Sequence, residues 1–423
     1  MRLPVRKILR SRLFGAWVFS MIGRMVSLVP LALLVVRGDL ASHDPVKLYI
    51  ATFAYVASSS YVLNTINEAH LFSKGAGGRS SGEVVVQSVV TVALGLAFLS
   101  PVLADGTFLS GATVMVAIAL QPLVARFRTR AIDSGRFRGA YASTALRDLP
   151  VAVTSIGVLA ISPDLVRFLP AAVLLGTFVQ LVHVLLASAK REAQQLDPDR
   201  VSGSAYTAVI ALSALSLAAY QPLARMFAEL SAGINALSTY ELSDRPAYMV
   251  ALALAGGVGT ELQRRWRDST LETVLRELAH AQRIVIIGMA AVGTATVAVA
   301  YAFRGDIQLL SSGPLLILLP LSFIAESLYL LAILRTRLIL ANHGGVWVVR
   351  AYVLGLATMS CLWLVWRAVS EPNALLAVPV ASIVGFGTAV VVQHVGIKRL
   401  ALVGGGLDPE DSDSANIRPE RKT

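Results

Sequence analysis

Apolar runs of roughly 20 residues recur along the whole chain, and each is long enough to cross a hydrocarbon layer of about 30 Å as a helix. No water-facing domain could cover so many such segments: 55% of the 423 residues are hydrophobic and 15% are charged, against roughly a quarter charged in soluble domains. Inside lipid every backbone polar group must find its partner within its own segment, which leaves helices as the economical answer for runs of this length. The sequence therefore predicts an all-α integral membrane protein.

The runs and their charged punctuation place spans near 14–36, 48–72, 83–104, 109–127, 145–162, 165–189, 204–228, 232–260, 282–303, 308–334, 345–367 and 374–397. That is about twelve transmembrane helices. The polar stretch Lys190–Arg200 divides them into an N-terminal six-helix lobe (1–196) and a C-terminal six-helix lobe (197–403), and the Gly/Pro-rich polar tail 404–423 is expected to be disordered. Met1–Arg12 is basic and precedes Phe14–Val36, a stretch longer than a secretory signal's apolar region, so an uncleaved first span is expected.

The net charge of +11 does not point to nucleic acid, because the bases lie in short loops rather than on one soluble face. Arg126, Arg128, Arg130, Arg136 and Arg138, then Lys190 and Arg191, then Arg264, Arg265 and Arg267, then Arg335 and Arg337 fall on alternate loops. Positive loops stay inside, so both termini are expected on the cytoplasmic side of a bacterial plasma membrane. Residues 265–280 carry Leu271, Val274, Leu275 and Leu278 at helical spacing, which fits either an amphipathic helix on the inner surface or a solvated linker helix. The single cysteine, Cys361, lies in an apolar run and reads as a packing residue; no disulfide or cysteine-based metal site is open to the chain.

A charged group at membrane depth costs several kcal/mol unless it has a partner or a water-filled cavity. Arg24 interrupts the first span, and Tyr61, Asn64 and Glu68 share one face of the second. Gln221 and Arg225 close the seventh span. Glu241, Asp244 and Arg245 lie in the eighth, with Glu241 and Arg245 spaced for an intrahelical ion pair, and Glu326 lies in the tenth. Arg147 and Asp148 are expected near the inner interface, and His183 and His394 are expected to pack or to bond to the backbone. There is no Walker loop, HExxH, Cys/His ligand set or GxSxG elbow. ATP hydrolysis by this chain and a resident cofactor are accordingly not expected, nor is enzymatic chemistry; Asp39, His43 and Asp44 form the one acidic cluster on the short outer loops.

From Val209 to Trp266 the chain carries Leu230-Ser231-Ala232-Gly233, Ala236-Leu237, Tyr240, Asp244-Arg245, Gly256-Gly257 and Gly259-Thr260. This segment resembles the seventh and eighth spans of the MviN/MurJ-type lipid II flippases, within the multidrug/oligosaccharidyl-lipid/polysaccharide (MOP) exporter superfamily. Arg24 sits near the arginine of that family's first span, and Arg245 falls on its cavity-facing arginine. The resemblance implies two lobes around a V-shaped central cavity, and alternating access that moves a lipid-linked oligosaccharide or polysaccharide precursor across the membrane. It also implies dependence on membrane lipids and on cell-envelope glycosyltransferases or polymerases. Pro30-Leu31 and Asn64-Thr65 stand where the family has charged pairs, so a less cationic cavity is expected.

On this reading Arg24, Asn64, Arg225 and Arg245 bind the substrate, the arginines because their forks hold phosphate bidentately. Glu68, Glu241, Asp244 and Glu326 are candidates for coupling to Na+ or H+. The alternative is a cation-coupled exporter of drugs or secondary metabolites with the same superfamily layout.

Overall fold

Each long apolar run does form a helix wherever the structure describes it, because a chain of Leu, Val, Ala and Ile with no competing polar side chains closes every backbone hydrogen bond within its own turns. The computed structural model describes residues 29–30, 46, 48–53, 55–56, 59–60, 63–64, 67, 81–104, 108–133, 136–161, 163–188, 212, 219–221, 223–231, 239–251, 254, 262, 271–304, 313–341, 344–369 and 374–404. Among these residues the regular elements are α1 (Ser81–Ala104), α2 (Phe108–Ala119), α3 (Gln121–Asp133), α4 (Phe137–Ile161), a 3-10 turn (Pro163–Phe168), α5 (Leu169–Ser188), α6 (Leu271–Ala302), α7 (Gly313–Ala341), α8 (Gly345–Val369) and α9 (Ala374–Gly404). The described parts of 46–67, 219–231 and 239–251 are also helical, and no strand occurs among the described residues. Six of the described stretches are long and apolar enough to span a membrane.

Several boundaries differ from the sequence reading for physical reasons. The span expected at 109–127 is two helices with a turn at Leu120, yet Leu120 N–H still donates to the Val116 carbonyl and Val124 N–H to the Leu120 carbonyl, both at 3.1 Å, so the two continue as one rod long and apolar enough to span a membrane. The amphipathic segment is not a separate surface helix. Its described part forms the first turns of α6, with Val274 and Leu278 buried and the Glu272–Arg276 pair in solvent. Arg24, Tyr61, Glu68 and the tail beyond residue 404 lie outside the described residues. Cys361 faces outward rather than packing.

Packing falls into two sets. α1–α5 pack on one another, and α6–α9 do the same. One apolar cluster gathers Val46, Tyr49, Phe53 and Val56 with Leu99, Ile118, Val151, Leu159 and Val173; a larger one gathers Tyr220, Phe227, Tyr240 and Tyr248 with the buried faces of α6–α9. Met249 belongs to the first cluster although its neighbours belong to the second, so the 239–251 helix touches both.

Close helix approach depends on small residues. A Cβ on Gly355 of α8 would lie 2.6 Å from the Gly385 carbonyl of α9 and against the Tyr220 hydroxyl; one on Gly385 would lie 2.8 Å from the Gly355 carbonyl. Around this crossing buried polar groups bond across helices: Tyr220 O–H donates to the Tyr352 carbonyl at 3.3 Å, and Gln393 Nε2 donates to Thr336 Oγ1 at 2.9 Å, which in turn shares a hydrogen bond with the Tyr352 hydroxyl at 2.8 Å. In the other set His183 Nε2 lies 3.0 Å from the Gly139 carbonyl and Arg136 Nη1 donates to the Ala187 carbonyl, pinning the α3–α4 turn to the end of α5. Replacement of Gly385 by valine should lower stability by about 1–3 kcal/mol through overpacking, read as a lower Tm in detergent, whereas Gly387→Ala, which meets open space, should leave Tm unchanged.

Candidate functional site

The site begins with an imbalance that the sequence makes unavoidable. The 219–231 helix brings Gln221 and Arg225, one turn apart; the 239–251 helix brings Tyr240, Glu241, Asp244 and Arg245; α7 brings Ser322 and Glu326, again one turn apart. All are at least nine-tenths buried, with Glu241, Asp244, Arg245 and Glu326 each 1% exposed. Charges so placed survive only if they meet one another.

They do meet. Arg225 Nε is in direct contact with Glu241 Oε1, and Arg225 Nη2 is 3.9 Å from Asp244 Oδ2. Arg225 Nη1 donates to Gln221 Oε1 at 2.7 Å, and Gln221 Nε2 donates to Glu326 Oε1 at 2.6 Å. The amide thereby passes the positive charge of Arg225 on to Glu326. Ser322 and Ser243 lie 3.5 Å apart and close the α7 side. The expected intrahelical Glu241–Arg245 pair is present but loose, with Arg245 Nε 3.8 Å from Glu241 Oε2; the tighter partner of Glu241 comes from the neighbouring helix.

Arg245 extends the network toward the other helix set. Its Nη2 donates to the Ile50 carbonyl at 3.3 Å, and its guanidinium carbon lies 4.7 Å from the centroid of Phe53. Arg147 of α4 approaches the same ring at 5.8 Å and is paired with Asp148, Nε to Oδ1, at 2.7 Å. Arg147 and Asp148 are both buried, with Arg147 at a contact between helices. A cation over an aromatic face gains most where water is excluded, as it is for Arg245.

Three carboxylates (Glu241, Asp244, Glu326) face two guanidinium groups (Arg225, Arg245). Glu326 Oε2 and Asp244 Oδ2 have no hydrogen-bond donor among the described residues, and these two carboxyl groups face each other. Two acceptors in contact require a proton or a cation between them.

Of the residues expected to bind substrate, Arg225 and Arg245 join this network, while Asn64 lies roughly 20 Å further along the 46–67 helix than Ile50. Asn64 is buried, with Nδ2 3.4 Å from Ser60 Oγ and its Oδ1 without a partner among the described residues. The coupling candidates Glu241, Asp244 and Glu326 are brought together; Arg24 and Glu68 lie outside the described residues. Phe53, Arg147 and Asp148 escaped as site residues, since nothing in their spacing announces a contact made across helices. No group of three or more His, Cys, Asp or Glu side chains is placed to hold a metal ion together among the described residues.

No protein-family profile matches the chain, and no curated protein does. Solved structures do. An inward-facing multidrug-resistance MATE-family transporter of the MOP superfamily superposes with a TM-score of 0.64 at 12% identity, over 91% of this chain and 96% of that one. An outward-facing MATE-family transporter gives 0.60 at 14% identity, over 94% and 98%. A MOP-superfamily transporter from Pyrococcus furiosus Vc1 (DSM3638), described by the reverse polarity of its binding pocket, gives 0.58 at 14% identity, over 93% and 98%. The chain has the fold of these transporters.

Breaking the central pair from one side should be costly. Arg225→Met leaves Glu241 buried without its nearest cation and should destabilise the protein by about 3–5 kcal/mol, whereas Arg225→Met combined with Glu241→Gln should recover most of that loss in the same detergent unfolding measurement.

Proposed function

We propose that this protein is a cation-coupled membrane exporter of amphiphilic drugs or secondary metabolites that works by alternating access. The observation that carries this reading is the buried cluster of three carboxylates and two guanidinium groups, one negative charge in excess, set within a fold shared with inward- and outward-facing transporters. On this proposal the α1–α5 and α6–α9 sets belong to the two lobes, 1–196 and 197–403, and the lobes enclose a central cavity. Asp244 and Glu326 hold a proton or Na+ between them, and Glu241 pairs with Arg225.

Loading the site changes how strongly Arg225 is drawn toward Asp244, and through Glu241 this bears on Arg245. Arg245 is the side chain that reaches the Ile50 carbonyl and Phe53. Exchange of access between lobes requires these contacts to loosen, which makes the cation's occupancy a condition for movement. A ligand shifts such an equilibrium only by its differential affinity for the two states, and a carboxylate pair that is closed in one state and open in the other supplies that difference.

A second reading, a flippase for a lipid-linked oligosaccharide or polysaccharide precursor, is favoured by the Val209–Trp266 segment. There Arg24, Asn64, Arg225 and Arg245 would receive the headgroup. The two readings separate in proteoliposomes: efflux of a soluble fluorescent cation driven by a Na+ or pH gradient supports the exporter, while exposure of a labelled lipid-linked sugar to the far leaflet without such efflux supports the flippase. Glu326→Gln keeps the acceptor for Gln221 but exchanges no proton and brings no negative charge to a cation. It should cut gradient-driven efflux by about tenfold or more, equivalent to about 1.4 kcal/mol, in a protein whose Tm stays near wild type; unchanged coupled efflux would sink the assignment.

A further inference from the structure

At the far end of α9 from Ala374 lies a cluster of cations that the transport reading does not use. Between residues 327 and 407 the sequence contains a single acidic residue, Glu371, which precedes α9. The opposite end of the same helices carries Arg335, Arg350, His394, Lys398 and Arg399. Arg350 and Arg399 come from different helices, yet both guanidinium carbons sit over the indole of Trp347, 5.2 and 5.3 Å from its centroid. Trp347 is half-buried and reaches α9 at Gly396, where a Cβ would lie 2.7 Å from the ring. On the other flank Arg335 Nη1 donates to the Val390 carbonyl at 2.7 Å, its Nε has no hydrogen-bond partner among the described residues, and its charge is felt by His394 together with that of Lys398.

These groups wrap the outward face of the last turns of α9. His394, Lys398 and Arg399 are exposed there, and the same face continues toward the middle of the helix as exposed Val395, Val391 and Val384. No carboxylate among the described residues pairs with Arg350, Lys398 or Arg399. Like charges gathered beside an apolar strip, with no carboxylate among the described residues to pair them, match a ligand that is anionic at one end and hydrocarbon at the other. The Trp347 indole stands at the boundary between the two, the position tryptophan favours in bilayers.

We infer that Trp347, Arg350, Lys398 and Arg399, with Arg335 on the flank, form a binding site for the headgroup of an anionic phospholipid whose acyl chain lies along Val395, Val391 and Val384. Arginine forks bind phosphate bidentately, and Lys398 adds a point charge. The positive-loop pattern assigns this end to the inner leaflet, where anionic headgroups attract such clusters.

The test is a thermal-shift titration of the full-length protein in neutral detergent with phosphatidylglycerol, phosphatidylcholine and inorganic phosphate. Phosphatidylglycerol should raise Tm at low mole fraction, while phosphatidylcholine and inorganic phosphate should not. Each basic residue at an anionic surface is worth about fivefold in affinity, so Arg350→Gln with Arg399→Gln should raise the half-saturating mole fraction by about tenfold or more. The charge-keeping pair Arg350→Lys and Arg399→Lys should retain most of the effect. Arg367→Gln, which removes the guanidinium over Trp363 at the other end of α8, should titrate as wild type. Should the double glutamine variant not fold, the exposed Lys398→Gln alone should weaken the response about fivefold. Equal stabilisation by phosphatidylcholine or inorganic phosphate would overturn the proposal, as would wild-type titration by a folded glutamine variant.

Discussion

A guanidinium or carboxylate taken out of water must be answered by an opposite charge close by, and the structure is arranged around one place where that answer is incomplete. Arg225 stands between Glu241 and Asp244 and reaches Glu326 through the Gln221 amide. Arg245 leans away from this centre toward the Ile50 carbonyl and Phe53. The helices at 219–231 and 239–251 and α7 are held in register by these contacts as much as by the apolar cluster around them. The same contacts leave Asp244 and Glu326 facing each other without a donor between them. On the proposed reading, a site that is nearly neutral but short of one positive charge releases and rebinds a small cation.

The aromatic and glycine contacts set the frame in which that network sits. Phe227 stacks on Trp363 with centroids 4.2 Å apart, and Trp363 Nε1 donates to Ser231 Oγ at 3.1 Å, fixing the 219–231 helix against α8. Tyr248 and Tyr329 lie 6.1 Å apart and join the 239–251 helix to α7 just beyond Glu326. Gly355 and Gly385 let α8 and α9 meet closely enough for Tyr220 to reach the Tyr352 carbonyl. Without that packing the buried charges would admit water, and their pairing would weaken with the rise in local dielectric.

Much of this could be read from the sequence, and the parts that could not share one cause. The helices at 81–104, 169–188, 313–341, 345–369 and 374–404 lie where their apolar runs place them, because membrane length and composition are local properties. Helix ends were harder. α4 begins at Phe137 and α6 extends back at least to Leu271, since polar residues continue a helix that hydropathy alone would stop. The charged residues stood out because each is expensive in lipid. Their partners did not: the i, i+4 rule points to Glu241 and Arg245, whereas the closest contact of Glu241 is Arg225 from another helix, and Arg147 meets Phe53 across nearly a hundred positions of sequence. Tertiary pairing leaves no periodic trace in one sequence.

The claim on which this account stands is that the Asp244–Glu326 pair accommodates one positive charge that substrate binding displaces. Proton release measured in weakly buffered detergent solution, paired with Na+ release measured on the same sample, tests it directly. Addition of a saturating amphiphilic substrate should free roughly one cation per chain, as befits a coupled pair of carboxylates, and Asp244→Asn combined with Glu326→Gln should abolish that release while the substrate still binds. Substrate binding that frees neither ion from the wild-type protein would contradict the account.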